Sequence, residues 1–289
     1  MKFSIFQSSR IGGRKYNQDR AGYAYTSEAL LMVLADGMGG HLHGEVAAHL
    51  AINTFMQAFI RDAQPGIDDP DAFLSETMKC AHNAIIEFAL SQRLDGNPGT
   101  TCVAAVLQDG LLYWAHAGDS RLYLIRHGHV AAMTHDHSIV QLWADRGFIS
   151  KEEIRTHPER NKITNCLGGV GQVFYAEPAP AMPMRSSSDL LLLCSDGLWG
   201  PLSDEQLAAG LDENDLAGSL AAMIDMAVDE AGGEADNTTA VVMHWGGKAD
   251  AEHDTPRAVC NLLDLNEDDA ISDVLGQTVI GFKGFGQDD

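Results

Sequence analysis

The chain has 289 residues, 45% of them hydrophobic, and a formal net charge of −22. That length holds one large core or two small ones, and so acidic a balance excludes nucleic acid and anionic membrane surfaces as partners. No apolar run reaches the roughly 18 residues of a membrane span, and Met1–Arg10 lacks the apolar centre of a secretion signal, so the expected location is the cytoplasm.

Phe3–Ser8 reads as a first strand, followed by the polar string Arg14-Lys-Tyr-Asn-Gln-Asp19. Gly22–Thr26 and Leu30–Ala35 form a hairpin pattern with Ser27-Glu28 near the turn. The second of these strands is wholly apolar, as a buried strand should be. It is expected to stop at Asp36, with Gly37, Gly39 and Gly40 after it. A carboxylate at the end of a rigid strand, with glycines that let backbone approach closely, suits an oxygen ligand for a hard cation. The carbonyl of Gly37 is a second candidate donor. The same string also fits an ordinary Asp-Gly turn.

Gly44–Arg61 has helical periodicity, and Asp71 is placed to cap a second helix with an apolar stripe from Phe73 to Ala89. After the breaker Asp95-Gly-Asn-Pro-Gly99, a meander follows: Thr100–Leu107, Leu111–Ala117, Arg121–Arg126 and Val130–Met133. His137–Gly147 reads as a helix, and Ser150-Lys-Glu-Glu153 as a capping box opening a short one. Thr156–Gly171 is irregular. Leu190–Cys194 is again purely apolar and runs into Ser195-Asp196-Gly197. Ser203 and Asp215 open helices at 204–210 and 216–230, and Thr238–His244 is the last strand. Residues 1–246 read as one domain. Residues 247–289 hold ten acidic against three basic residues and no sustained pattern, as expected of an acidic, weakly ordered tail. Paired helices between groups of strands point to an α+β fold, a four-layer α-β-β-α sandwich of two antiparallel sheets flanked by helices.

Five cysteines at 80, 102, 166, 194 and 260 have no CxxC spacing and read as buried thiols. There is no Walker motif. The chemistry lies in short acidic motifs: Asn17-Gln-Asp19, Asp36-Gly37, Gly118-Asp119-Ser-Arg121, Ser195-Asp196-Gly197 and Asp236-Asn237. Asp36 and Asp196 end apolar strands and Asp236 precedes one. If those strands are neighbours the carboxylates gather at one edge, where only a cation relieves their repulsion. Two divalent ions would acidify a water and clamp a phosphoryl group.

In order, Arg14…Asn17-Gln-Asp19, Ala35–His41, Gly99-Thr-Thr101, Ala117–Arg121, His157…Asn161…Leu167-Gly168, Cys194–Trp199 and Asp236-Asn237-Thr238 resemble the metal-dependent serine/threonine protein phosphatases (the PPM family, type 2C class), in their stand-alone bacterial form. The resemblance covers residues 1–246. It implies a phosphatase acting on phosphoserine and phosphothreonine in proteins, opposing a bacterial Ser/Thr kinase, with two Mn2+ or Mg2+ ions and a third, weaker one. Asp36 would bridge both ions, with the Gly37 carbonyl on one. Asp19 would act chiefly through a bound water, and Asp196 and Asp236 would complete the other ion's shell. Asp119 with Asp196 matches the third site. Arg14 would grip phosphate, Asn237 would orient the Asp236 loop, and residues 138–166 match a flap beside the site. His41 is a supporting residue near the position where some members carry a proton-donating His, which is Met38 here. Gln18 stands where the family often has Glu. A regulatory or binding module of the same fold that has lost catalysis is the alternative. The tail island around Thr278 is a candidate docking peptide for a phosphothreonine-binding partner, and a monomer is expected.

Overall fold

A computed structural model describes residues 1–38, 43–94, 98–169, 174–176, 178–185, 189–246, 249–250 and 257–261. His41 and Thr278 therefore lie outside the described residues. In chain order the elements are β1 (Lys2–Arg10), β2 (Asp19–Tyr25), β3 (Ala29–Met38), α1 (Gly44–Asp62), α2 (Pro70–Gln92), β4 (Gly99–Thr100), β5 (Cys102–Gln108), β6 (Leu111–Ala117), β7 (Arg121–Arg126), β8 (His129–Met133), α3 (Ile139–Asp145), β9 (Leu167–Gly168), β10 (Met182–Pro183), β11 (Leu190–Cys194), α4 (Asp196–Trp199), α5 (Asp204–Gly210), α6 (Leu216–Ala231), β12 (Thr238–Trp245), β13 (Ala249–Asp250) and β14 (Arg257–Asn261). One antiparallel sheet runs β13-β1-β12-β11-β7-β8, and the other β10-β6-β5-β3-β2-β14, with β4 paired to the end of β3 and β9 paired to β4.

The apolar strands are apolar on both faces because each sheet is covered on both faces. In β3, Leu31, Val33 and Ala35 pack with α1 and α2, including Ile52, Phe55, Leu74 and Met78. Its alternate residues Leu30, Met32 and Leu34 meet Leu191 and Leu193 of β11 and Val241 and Met243 of β12 between the sheets. On the outer face of the first sheet, Leu192 and Cys194 pack against Trp199, Leu207, Leu220 and Ile224 of α4, α5 and α6. Three apolar layers thus separate four structural layers, the α-β-β-α sandwich read from the sequence. Among the described residues no helix is long and apolar enough to cross a membrane.

Several boundaries move, each for a local reason. The strand carrying Asp36 does not stop there: Gly37 and Met38 continue the ladder, opposite Thr100 and Gly99 of β4. The cap of α2 is Asp69 rather than Asp71, because Pro70 at the first helical position starts the helix two residues earlier and the Asp69 side chain accepts from the Ala72 N–H. The helix expected at 137–147 is confined to α3, with Ser138 as its cap. The Ser150–Glu153 box forms, with Glu153 accepting from the Ser150 N–H at 2.7 Å, but it opens only a 3-10 turn over Glu152–Arg155. Of the cysteines, Cys102, Cys166 and Cys194 are buried whereas Cys80 is exposed. Two strands fall within 247–289, where the pattern shows none: β13 pairs with β1 and β14 with β2.

Leu191 is fully buried between the sheets on a central strand. Leu191→Ala should cost about 2–5 kcal/mol. A urea titration should show this as a lower midpoint at unchanged slope.

Candidate functional site

The register fixes where the acids meet. Asp19 at the start of β2 faces Asp36 directly across the β2–β3 ladder. In the other sheet Cys194 at the end of β11 pairs with Arg121 on one side and Ala240 on the other. Asp196, two residues past Cys194, therefore emerges at the same end as Asp119, two residues before Arg121, and Asp236, just before β12. The turn Gly118–Ser120 is where the chain crosses from β6 in one sheet to β7 in the other. Asp119 thus stands on the seam between sheets, and five acids collect at one end of the sandwich.

Their backbones are held tightly from behind. The Asp36 N–H donates to Thr101 Oγ1 at 3.0 Å, and its carbonyl accepts from the Thr101 N–H and from Thr100 Oγ1 at 2.9 and 2.8 Å. Trp199 Nε1 donates to the Asp119 carbonyl at 2.8 Å. Beneath this turn the Arg121 guanidinium lies 3.7 Å from the Trp199 ring centroid and forms a two-pronged, buried ion pair with Asp136 at 2.8 and 2.7 Å. Gly37 has no room for a side chain: a Cβ there would lie 2.3 Å from the Gly44 carbonyl oxygen. At Gly197, beside Asp196, a Cβ would lie 2.1 Å from the Asn237 carbonyl oxygen. Both glycines let two loops pass in contact.

Asn237 is the junction of three segments. Its N–H donates to Asp236 Oδ1 at 2.8 Å, its Oδ1 accepts from the Gln18 N–H at 2.9 Å, and its amide donates to the carbonyls of Ile11 and Tyr16 at 2.9 and 3.0 Å. Arg14 is half exposed and donates to Asp236 Oδ2 at 2.6 Å. The residue read as a phosphate grip is thus paired, in this structure, with a residue read as an ion ligand. Gln18 donates its side-chain amide to Glu45 Oε2 at 3.1 Å, a bond the Glu frequent at this position could make only when protonated. His43 caps α1 in the left-handed region, with φ 90°, and takes no side-chain capping role.

The carboxylates themselves are poorly satisfied. Asp19 is buried; Ser195 Oγ donates to its Oδ2 at 2.7 Å, while Oδ1 accepts no hydrogen bond. Burial, then the neighbouring carboxylates, push Asp36 well above the usual carboxylate range. Burial and Asp196 do the same to Asp119. Burial also raises Asp19 to about 6, against the Ser195 hydrogen bond, and raises Asp196 to about 7 together with Asp236 and Asp19. Asp196 is pulled back down by two cations, Arg160 and Arg14. Arg160 was not singled out in the sequence. Its only signal there is its place in the irregular His157–Asn161 stretch of the flap.

These observations test whether divalent ions fit. The donors are all hard oxygens, one buried carboxylate oxygen is orphaned, and burial together with neighbouring carboxylates raises the proton affinity of four acids, a set that a cation would relieve. Among the described residues no three His, Cys, Asp or Glu side chains converge as a ready cage. That spread suits an ion that keeps much of its water and takes few protein ligands, as Mg2+ does. The donor set fits such ions.

A carboxyl with raised pKa in the fold binds its proton more tightly folded than unfolded. Its stabilising effect is full below about 3.9 and is lost as pH rises through 6 to 7. The metal-free protein should therefore melt about 5–10 °C lower at pH 8 than at pH 5 through these groups, and millimolar Mn2+ should restore the loss at pH 8. Scanning calorimetry with and without Mn2+ checks both.

The protein phosphatase 2C family model matches residues 7–237. The chain is 39% identical over 215 residues to the serine/threonine protein phosphatase PstP of Mycobacterium tuberculosis, covering 74% of this chain and 40% of that protein. It thus spans about two fifths of the length of that relative. It is 30% identical over 240 residues to the serine/threonine phosphatase stp of Listeria innocua, covering 82% of this chain and 94% of the other. In three dimensions it is similar to the catalytic domain of PstP solved in complex with two manganese ions, with TM-score 0.70, 32% identity, and 84% and 97% of the two chains covered.

Proposed function

This chain belongs to the protein phosphatase 2C family, and from that premise we propose that it hydrolyses phosphoserine and phosphothreonine in proteins by direct attack of water on phosphorus, opposing a serine/threonine kinase in the cytoplasm. The observation that carries the reading is the collection of Asp19, Asp36, Asp119, Asp196 and Asp236 at one end of the sandwich, with Arg14 at its rim. A regulatory module that had lost catalysis would have no reason to keep so costly a set of mutually repelling groups.

In this reading Asp36 and the Gly37 carbonyl would hold two Mn2+ or Mg2+ ions jointly with Asp19, Asp196 and Asp236, and Asp119 with Asp196 would hold a third. When bound, these ions supply an acidified water and neutralise charge on the transferring phosphoryl group. The chain's own groups do the rest. The Thr100, Thr101 and Trp199 bonds keep the Asp36 and Asp119 backbones from moving as charge shifts. Arg14 leaves Asp236 and takes the phosphate oxygens through its planar fork. Asn237 holds the Asp236 loop in place while that pair exchanges. Arg160, whose charge already acts on Asp196, faces the same anion from the flap side. Both arginines offset the net charge that would otherwise repel a phosphorylated protein. Met38 carries no proton for the leaving group.

A phosphothreonine peptide assayed with purified full chain should release phosphate with Mn2+ and none with chelator. Asp36→Asn should fold and lose activity by about 10²–10³-fold or more. Metal-dependent turnover by Asp36→Asn near the parent rate would overturn the assignment. A folded parent with no turnover on any phosphoprotein would turn the reading to the catalytically silent module.

A further inference from the structure

The residue after Asp19 is an arginine, and it is buried at 3% exposure. Charged side chains are rarely enclosed unless their hydrogen bonds do something specific. One terminal nitrogen of Arg20 donates to two carbonyls, Asn17 at 2.8 Å and Asp19 at 2.7 Å. Between them the Gln18 carbonyl accepts from the Gly37 N–H at 3.3 Å. Three consecutive carbonyls of the loop that presents Asp19 are therefore pinned, two by one guanidinium and one by the backbone beside Asp36. On the other side Asn17 ties the loop to β1 through Ser9 Oγ, at 2.8 Å, and its Oδ1 accepts from the Asp19 N–H at 3.0 Å.

Helix α1 packs against β2, the strand that carries Arg20. The negative charges of Glu45 and Asp19 oppose the burial that lowers its proton affinity. Glu45 also receives the Gln18 amide, so one carboxylate on the helix answers two residues of the loop. His49, one turn further along α1, is equally buried, and neither ring nitrogen has a partner. Burial and the Arg20 charge keep it neutral, with its pKa lowered to about 4. It offers no competing charge, and Arg20 Nε likewise takes no acceptor, so the bonds this guanidinium makes here run to the loop.

We propose that Arg20 is a positioning residue for the ion site: clamped between the first turn of α1 and the Asn17–Asp19 carbonyls, it fixes where the Asp19 carboxylate stands opposite Asp36 and so sets the affinity for the divalent ions without touching them. The proposal rests on Asp19 and Asp36 being ion ligands. Residues that orient ligands from behind change metal affinity by about 10–100-fold when removed.

The test is Mn2+ binding to metal-free protein, measured by calorimetric titration and by the electron paramagnetic resonance signal of free Mn2+. Arg20→Met, close in length but without donors, should weaken Mn2+ binding at least about 10-fold. Arg20→Lys, which keeps charge and donors, should recover most of that loss. Arg126→Met removes a distant guanidinium bonded to Asp189 at 2.8 and 2.7 Å. It should lower the melting temperature and leave Mn2+ affinity as in the parent, separating a general packing effect from a positioning one. Parent-like Mn2+ affinity in folded Arg20→Met would overturn the proposal. Should that variant not fold, Glu45→Gln takes its place, with several-fold weaker binding expected and parent-like binding contradicting the proposal. A parent that binds no Mn2+ would overturn the ligand reading itself, an outcome distinct from either.

Discussion

Everything at the functional end of this molecule is arranged around one repulsion. Four carboxylates have their proton affinity raised by burial and then by one another or by Asp236, and one of their oxygens, Asp19 Oδ1, has no hydrogen-bond partner. Left alone, such a cluster would take up protons or spread apart. It stays together because its backbones are not free to move. Asp36 follows the wholly buried run Ala29–Ala35 within β3, Asp196 lies just past the wholly buried β11, and Asp119 sits where the chain steps between sheets over a buried Arg121–Asp136 pair. The hydrophobic effect, through three apolar layers, holds in place an electrostatic arrangement that the Ser195 hydrogen bond and the rim arginines offset only in part.

The surrounding cations fall into two groups with different work. Arg20 and Arg121 are buried and bonded to backbone or to a fixed carboxylate; they hold the frame. Arg14 and Arg160 are exposed and act on the carboxylates from the rim; they are free to exchange partners. A chain of net charge −22 needs the second kind if an anionic substrate is to approach, since the overall field opposes it. Under the proposed roles, Arg14 exchanges its Asp236 contact for phosphate, and that one salt bridge would couple substrate binding to ion binding.

How much of this the sequence discloses follows from the range of the interactions. Strands buried on both faces announce themselves as unbroken apolar runs, so Leu30–Ala35 and Leu190–Cys194, and the acids after them, were legible. Asp19 and Asp119 were legible through the ordered motifs. The sandwich was legible from the alternation of helix pairs and strand groups. What escaped depends on contacts between segments far apart in the chain. The extension of β3 past Asp36 needs β4, which is 60 residues away. The cap at Asp69 turned on Pro70, a local signal outweighed by the apolar stripe that begins at Phe73. Arg20 fell between the polar string ending at Asp19 and the strand expected from Gly22, and a carbonyl-bonded guanidinium has no spacing to betray it. Arg160 joins the site only through the path of a loop. The pairing of β14 with β2 rests on backbone register within a segment whose composition points to no element at all.

The central claim is that divalent cations resolve the repulsion among these carboxylates. Its most direct measurement is calorimetric titration of the metal-free chain with Mn2+ at pH 6.5 and pH 8.5, each in two buffers of different ionisation enthalpy. The account predicts saturable binding of two ions per chain, with protons released at pH 6.5, where acids raised to about 6 and about 7 still hold them, and fewer released at pH 8.5. Absence of saturable binding, or binding at pH 6.5 whose heat is the same in both buffers, would contradict it.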